Sequence, residues 1–193
     1  PVVPKFIKPS TSSQAGTVSA DGQTWESETG GSSYGGVSLD TTFTGVFTLI
    51  TSWQHDYMGV GFAYADSVTN AMFTGESADP NGIYMAGATT DGFTSAVSFH
   101  GNYHWPVNGD GGNTDDVKQY IMHERVGNNV IISHSETSAA GTDPDHASWD
   151  VRTTTAISGS NEVKPAWGEA SSTENDPLTI LYVDVSSGAT HQN

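Results

Sequence analysis

The chain has no cysteine. Disulfides and thiolate metal sites are excluded, so packing alone has to hold the fold. Basic residues are almost as scarce: 6 Lys and Arg stand against 22 Asp and Glu, a formal net charge of −16. A protein that grips nucleic acid must neutralise phosphates, and this one has almost nothing to do it with. The same deficit speaks against an anionic membrane surface. No apolar run approaches the ~20 residues of a membrane-spanning helix. Leucine and lysine are rare, and no stretch sustains a 3.6-residue period, so helix signals are poor throughout. The excess acid has two readings. One is solubility through repulsion between copies. The other is a salty or calcium-rich medium whose cations screen or bind the carboxylates.

What the chain does have is a series of short β-branched and aromatic runs, cut by Gly, Asn, Asp and Ser clusters. Residues 43–50, FTGVFTLI, read as a strand with Phe43, Phe47 and Leu49 on one face. Residues 57–65 put Met58, Val60, Phe62 and Tyr64 on one face. Gly59 and Gly61 fall on the other, where something large packs or a facing backbone comes close. Further strands are expected at 83–86, 95–103, 117–126, 129–134, 151–157 and 178–185. Gly127-Asn128, between two alternating runs, is a hairpin signal. A two-residue turn there sets Val126 opposite Asn129, Arg125 opposite Val130 and Glu124 opposite Ile131. At 193 residues one domain is expected, large enough to bury ~70% of its unfolded surface. The prediction is an all-β, antiparallel β-sandwich of jelly-roll type, with a β-barrel as the alternative. An extended N-terminal arm is expected over 1–14, the sandwich over 15–185 and a frayed tail over 186–193. Residues 10–36 read as loop, with an edge strand near Trp25.

Four pieces, in this order, resemble the concanavalin A-like jelly roll in its SPRY- and laminin-G-like forms. Phe47-Thr48-Leu49-Ile50 followed by Tyr57-Met58-Gly59-Val60-Gly61-Phe62-Ala63 is similar to its paired strands. Asp116 to Ile132 resembles the hairpin that follows. Lys164-Pro165-Ala166-Trp167-Gly168 resembles a late turn, and Leu178 to Val185 the closing strand. Together they cover residues 40–185. That superfamily holds lectins, adhesin modules, viral attachment domains, glycosidases and lyases, so the resemblance implies a fold and leaves function open.

Catalytic signatures are missing. The fold's retaining glycosidases resemble one another in a Glu-x-Asp-x-x-Glu strand, and no such run occurs. Glu26-Ser27-Glu28 lies in a polar Gly/Ser stretch and reads as solvated loop. A lyase would need cations for its uronate substrate; His123-Glu124-Arg125, Tyr120 and His134 are the nearest grouping, and neighbours on a strand point to opposite faces. Gly30 to Gly36 reads as a flexible loop rather than a nucleophile elbow. His100 and His104 have zincin-like spacing, which serves one ion only on a helix. No catalytic residue is assigned.

Binding signals are stronger. The stretch His104-Trp105-Pro106-Val107-Asn108-Gly109-Asp110-Gly111-Gly112-Asn113-Thr114-Asp115-Asp116 runs from aromatics into glycines, amides and carboxylates. It fails the EF-hand pattern at Gly112 and Asn113. A looser Ca2+ site remains open, with Asp110, Asn113, Asp115 and Asp116 as ligands, since Ca2+ takes 6–8 oxygens and accepts backbone carbonyls. A second acidic loop, Thr142 to His146, precedes Trp149. Sugars stack their C–H faces on aromatic rings and hydrogen-bond to Asp and Asn. Trp53, His55, Tyr103, His104, Trp105 and Trp149 are the expected ligand contacts. The leading expectation is a non-catalytic module for neutral glycan, calcium-assisted, on a bacterial surface protein or phage tail, hence at the cell surface, extracellular or on a virion. The alternatives are a virion structural or decoration protein that binds other subunits through residues 1–12, whose Lys5 and Lys8 could reach an acidic neighbour, and a carbohydrate-active enzyme.

Overall fold

The computed structural model describes residues 3–7, 16–26, 34–53, 58–64, 67–74, 83–89, 92–99, 104–105, 119–135, 143–145, 148–156, 162–170, 177–185 and 189–191. Every element among them is a strand. One sheet holds six: β1 (Phe6–Ile7), β4 (Tyr34–Leu39), β7 (Met58–Tyr64), β8 (Ser67–Thr74), β11 (His104–Trp105) and β15 (Lys164–Ala170), in the order β1-β4-β15-β7-β8-β11. The second holds seven: β2 (Thr17–Val18), β3 (Thr24–Glu26), β6 (Phe47–Trp53), β12 (Gln119–Val126), β13 (Asn129–Ser135), β14 (Asp150–Ala156) and β16 (Pro177–Val185), in the order β14-β13-β12-β6-β16-β3-β2. Two pairs complete the fold: β5 (Thr41–Phe43) with β17 (Ala189–His191), and β9 (Ile83–Thr89) with β10 (Gly92–Phe99). All ladders are antiparallel except β11 against β8. The chain is an all-β sandwich.

Alternation decides which residues meet between the sheets. Phe47 and Leu49, Ile121, Val130 and Ile132, and Leu178 and Ile180 point inward from the seven-stranded sheet. Phe6, Val37, Leu39, Phe62 and Trp167 meet them from the six-stranded sheet. Each fully buried side chain of this kind contributes ~1.5–3 kcal/mol. A bulge between Ile180 and Tyr182 shifts the register of β16. That shift keeps Val183 and Val185 on the core side.

The expected strand 43–50 is two strands. The chain bends at Thr44–Val46, yet Phe43 and Phe47 still meet, stacked with centroids 4.0 Å apart. The Ser/Gly stretch read as loop contains β2, β3 and the start of β4; the edge strand expected near Trp25 is β2, which pairs Val18 with Trp25 on β3, and Trp25 itself is fully buried. Val37 and Leu39 supply the apolar alternation that the preceding glycines hid. Of the expected strand 95–103, residues 95–99 belong to β10, which starts at Gly92 and pairs with β9 in a hairpin; residues 100–103 lie outside the described residues. In the tail expected to fray, Ala189–His191 pairs with β5.

The arm expected at 1–14 is docked over its described part. Phe6 and Ile7 pair with Leu39 and Ser38 at the edge of the six-stranded sheet. Phe6 N–H also donates to the carbonyl of Gly22, 2.7 Å away in the turn between β2 and β3. That turn is closed by Asp21, whose Oδ1 accepts from Ser19 Oγ at 2.6 Å and from Gln23 N–H at 3.0 Å. The Ser19 hydroxyl first, and then the Gln23 amide, hold the Asp21 carboxyl below its ordinary range.

A third layer covers the six-stranded sheet. β9 crosses β4, β15, β7 and β8, with Cα approaches within 8 Å. Stacked sheets ordinarily sit ~10 Å apart. The residues opposite the core-facing positions explain the closeness: Gly36 on β4, Ala166 and Gly168 on β15, and Gly59, Gly61 and Ala63 on β7. The glycine face of β7 does receive another backbone.

Candidate functional site

The registers sort the strand termini onto two ends of the sandwich. Glu26 lies opposite Pro177 and Trp53 opposite Gln119, with Tyr120 opposite Ser135. Tyr34 lies opposite Ala170, Glu169 opposite Met58, and Trp105 opposite Thr74. These termini are joined from sheet to sheet by 27–33, 54–57 and 171–176, so they lie at one end. Segments 75–82, 106–118 and 136–149 also start or finish there. The connections of this end carry more than half of the chain's 22 acidic residues, and Lys118 is their one Lys or Arg.

The five tryptophans divide accordingly. Trp25 and Trp167 are in the core, 0% exposed, and neither indole N–H has a hydrogen-bond partner among the described residues. They serve as apolar bulk. Trp53 closes β6, Trp105 closes β11 and Trp149 immediately precedes β14, all at the acidic end. The edges that bring Trp105 and Trp149 there also adjoin, since β14 approaches β8, the ladder partner of β11. Three of the expected aromatic contacts are thus brought to one region from three strands. His104 shares β11, opposite Phe73. His55 and Tyr103 lie outside the described residues, as do Asp110, Asn113, Asp115 and Asp116.

The best-described part of this end is the second acidic loop. Trp149 is half-buried, and its Nε1–H donates to the carbonyl of Asp143 at 3.0 Å. With its N–H engaged, the indole offers a ligand only its ring face. Asp143 Oδ1 accepts from Asp145 N–H at 3.0 Å. The hydroxyls of Ser148 and Ser135 lie 3.4 Å apart, tying the loop to β13. Both aspartates are exposed.

Below the loop lies the outer face of the seven-stranded sheet. One cross-strand row runs Asp184, Thr48, Glu124, Ile131; the next runs Tyr182, Ile50, Met122, Ser133. A third contains Thr179, Ser52, Tyr120 and Ser135. Ile50, Met122, Tyr120, Ser52, Ser133 and Ser135 are buried, so this face is covered near the acidic end and open further down. Glu124 sits at that boundary. Burial, and secondarily the charge of Asp145, raise its carboxyl above the ordinary range. The sequence groups Glu124 with His123 and Arg125, but both of those face the core and are buried. The signal was there in the strand's alternation. Glu124 and Asp184 stand two strands apart, ~9–10 Å at the backbone. That is wider than the ~5 Å of a retaining nucleophile–acid pair.

Among the described residues no three His, Asp or Glu side chains are grouped to hold a metal ion. Nor is any described helix long and apolar enough to cross a membrane.

No family model matches the chain, and no curated protein matches it. Solved structures do. The CBM2 module of the evolved Dit of Lactobacillus casei BL23 phage J-1 aligns over 95% of this chain and 90% of its own, at 15% identity and a TM-score of 0.48. The exoplasmic/lumenal domain of VIP36, bound to Ca2+ and Man3GlcNAc, aligns over 97% and 85%, at 7% identity and 0.44. Lectin UEA-II in complex with galactose aligns over 97% and 98%, at 9% identity and 0.41. With all three scores below 0.5, the sandwich assignment stands on the strand ladders themselves.

Proposed function

We propose that the protein is a non-catalytic recognition module that binds neutral glycan at the acidic end of the sandwich. One observation carries this reading: Trp53, Trp105 and Trp149 come to a single end, among connections rich in carboxylates and almost free of cations. Ring faces stack on sugar C–H groups, and carboxylates and amides accept from hydroxyls. A polyanionic glycan would meet like charge there, so the ligand is neutral. Ca2+ fits the same end, where Asp110, Asn113, Asp115 and Asp116 would supply oxygen ligands. A place on a cell surface or virion follows from the ligand class.

A glycan array with and without chelator tests the reading. Binding to neutral glycans, lost or weakened by chelator, is the expected result. Arrays blank under both conditions would remove the glycan. Binding unaffected by chelator would remove only the calcium.

A further inference from the structure

We propose that residues 3–7 form a transferable strand, and that the groove holding them accepts the same segment from a second copy of the chain. The inference is independent of glycan binding. The segment lies between two edges, β4 of the six-stranded sheet and the Ser19–Gln23 turn beside the seven-stranded sheet. Its partners are all remote in sequence. Phe6 N–H donates to Gly22 O at 2.7 Å, and Gln23 Nε2 donates to Pro4 O at 2.9 Å. Lys5 N–H donates to Asp40 Oδ1 at 2.9 Å, and Asp40 N–H returns to Lys5 O at 2.8 Å. Phe6 is 2% exposed and meets Trp167 edge-on at 5.3 Å. Pro4 is buried as well. The groove is shaped to the segment: Gly22 has φ +76°, and a Cβ there would come within 2.6 Å of Lys5 Cβ.

Nothing in these contacts requires that donor and acceptor belong to one chain. The link to β2 is residues 8–16, nine residues that reach ~30 Å when extended. A link of that length gives a local concentration in the millimolar range, so the intact chain closes on itself at micromolar concentration. Cutting or shortening the link removes that advantage. A groove left empty exposes the β4 edge and the site of the Phe6 ring, and the segment that best fits it is an identical one. The segment also carries charge of the right sign, since Lys5 is one of only 6 basic residues and Lys8 follows the segment in sequence. Repulsion between bodies of net charge −16 opposes exchange, so salt should favour it.

The test places a protease site at residues 10–14 of the full chain and cuts it. The expected result is that the cut segment co-elutes with a folded body at micromolar concentration, and that a fluorescent peptide of residues 1–8 exchanges into it. A Phe6→Ala peptide should compete about 100-fold more weakly. In a second arm, the full chain lacking residues 10–14 should be dimeric by light scattering, its dimer fraction rising with salt. A body that sheds the segment and stays folded, or unfolds once cut, overturns the proposal. So does a shortened chain that is folded and monomeric at every salt concentration.

Discussion

At one end of the sandwich, β12 and β13 are joined by Gly127–Asn128, and β5 and β6 by the bend at Thr44–Val46. At the other, the connections run to fourteen residues over 136–149. The short end is pinned from inside. Arg125, 3% exposed, donates from Nη1 to Phe43 O at 2.9 Å, and Nε lies 3.4 Å from Gly127 O. Burial lowers the Arg125 pKa without discharging it. The long end carries most of the acid, the last residues of β6 and β11, Trp53 and Trp105, and the half-buried Trp149. Repulsion among carboxylates is therefore concentrated in the connections of one end, away from the short turns that join β5 to β6 and β12 to β13. Loop residues can change there while the short end keeps the sheets in register.

The contrast can be broken by substitution. Phe47→Ala, at the short end, should cost about 3–5 kcal/mol in urea denaturation, because its stack on Phe43 has no space to collapse. Arg125→Met should cost about 1.5–2 kcal/mol by removing a charge-assisted bond to Phe43 O, which keeps its second bond from Val163 N–H at 2.9 Å. Gly127→Ala should cost about 1 kcal/mol. Nothing lies within 4 Å of the added Cβ, and φ is +59°, so the loss is backbone strain alone. Gly127→Asn should recover part of it; a loss equal to that of alanine would contradict this account. At the long end the order of effects inverts. Trp149→Ala should cost under about 1 kcal/mol of stability. Under the proposed function it should also weaken binding of a neutral glycan at least tenfold by titration calorimetry. A Trp149→Ala loss as large as that of Phe47→Ala would erase the distinction between the ends.

The smallest effect lies at the boundary, at Glu124. Burial raises its folded-state pKa, so the fold favours the protonated carboxyl. Its contribution to stability is full below the ordinary glutamate range and is lost as pH rises through the raised value. Glu124→Gln should therefore stabilise the protein at pH 7, by on the order of 0.3 kcal/mol after solvent screening. The gain should vanish below about pH 4. Paired denaturation curves at the two pH values check this, and an equal gain at both would exclude titration as the cause.

Local chemistry was readable in the sequence; long-range pairing was not. The turn residues at Gly127-Asn128 fixed the pairing of Arg125 with Val130 and of Glu124 with Ile131, as found. The shared burial of Phe43 and Phe47 followed from hydrophobic alternation, although the bend between them did not. β4 escaped notice because its first residues are Tyr34, Gly35 and Gly36, and its strand character comes from neighbours more than a hundred residues away on β15. Lys164 is 0% exposed, which no composition rule for lysine anticipates. Continuing the β4–β15 register sets it opposite Asp40, a pairing invisible before the strands are aligned. At the candidate site the types of residue were apparent early. That the positions of Trp53, Trp105 and Trp149 lie at one end follows only from the ladders.

The outer strands of the two sheets carry a consequence for crowding. β1, β2 and β11 are two residues long, and β14 is interrupted by an irregularity opposite Ile132 and Ser133. Short and kinked borders give a neighbouring chain little to zip onto. Near the isoelectric point of 4.4 the carboxylates no longer keep copies apart, but the borders are unchanged. At the borders of the two main sheets, charge and geometry are thus separate safeguards: acid titrates the first and leaves the second in place.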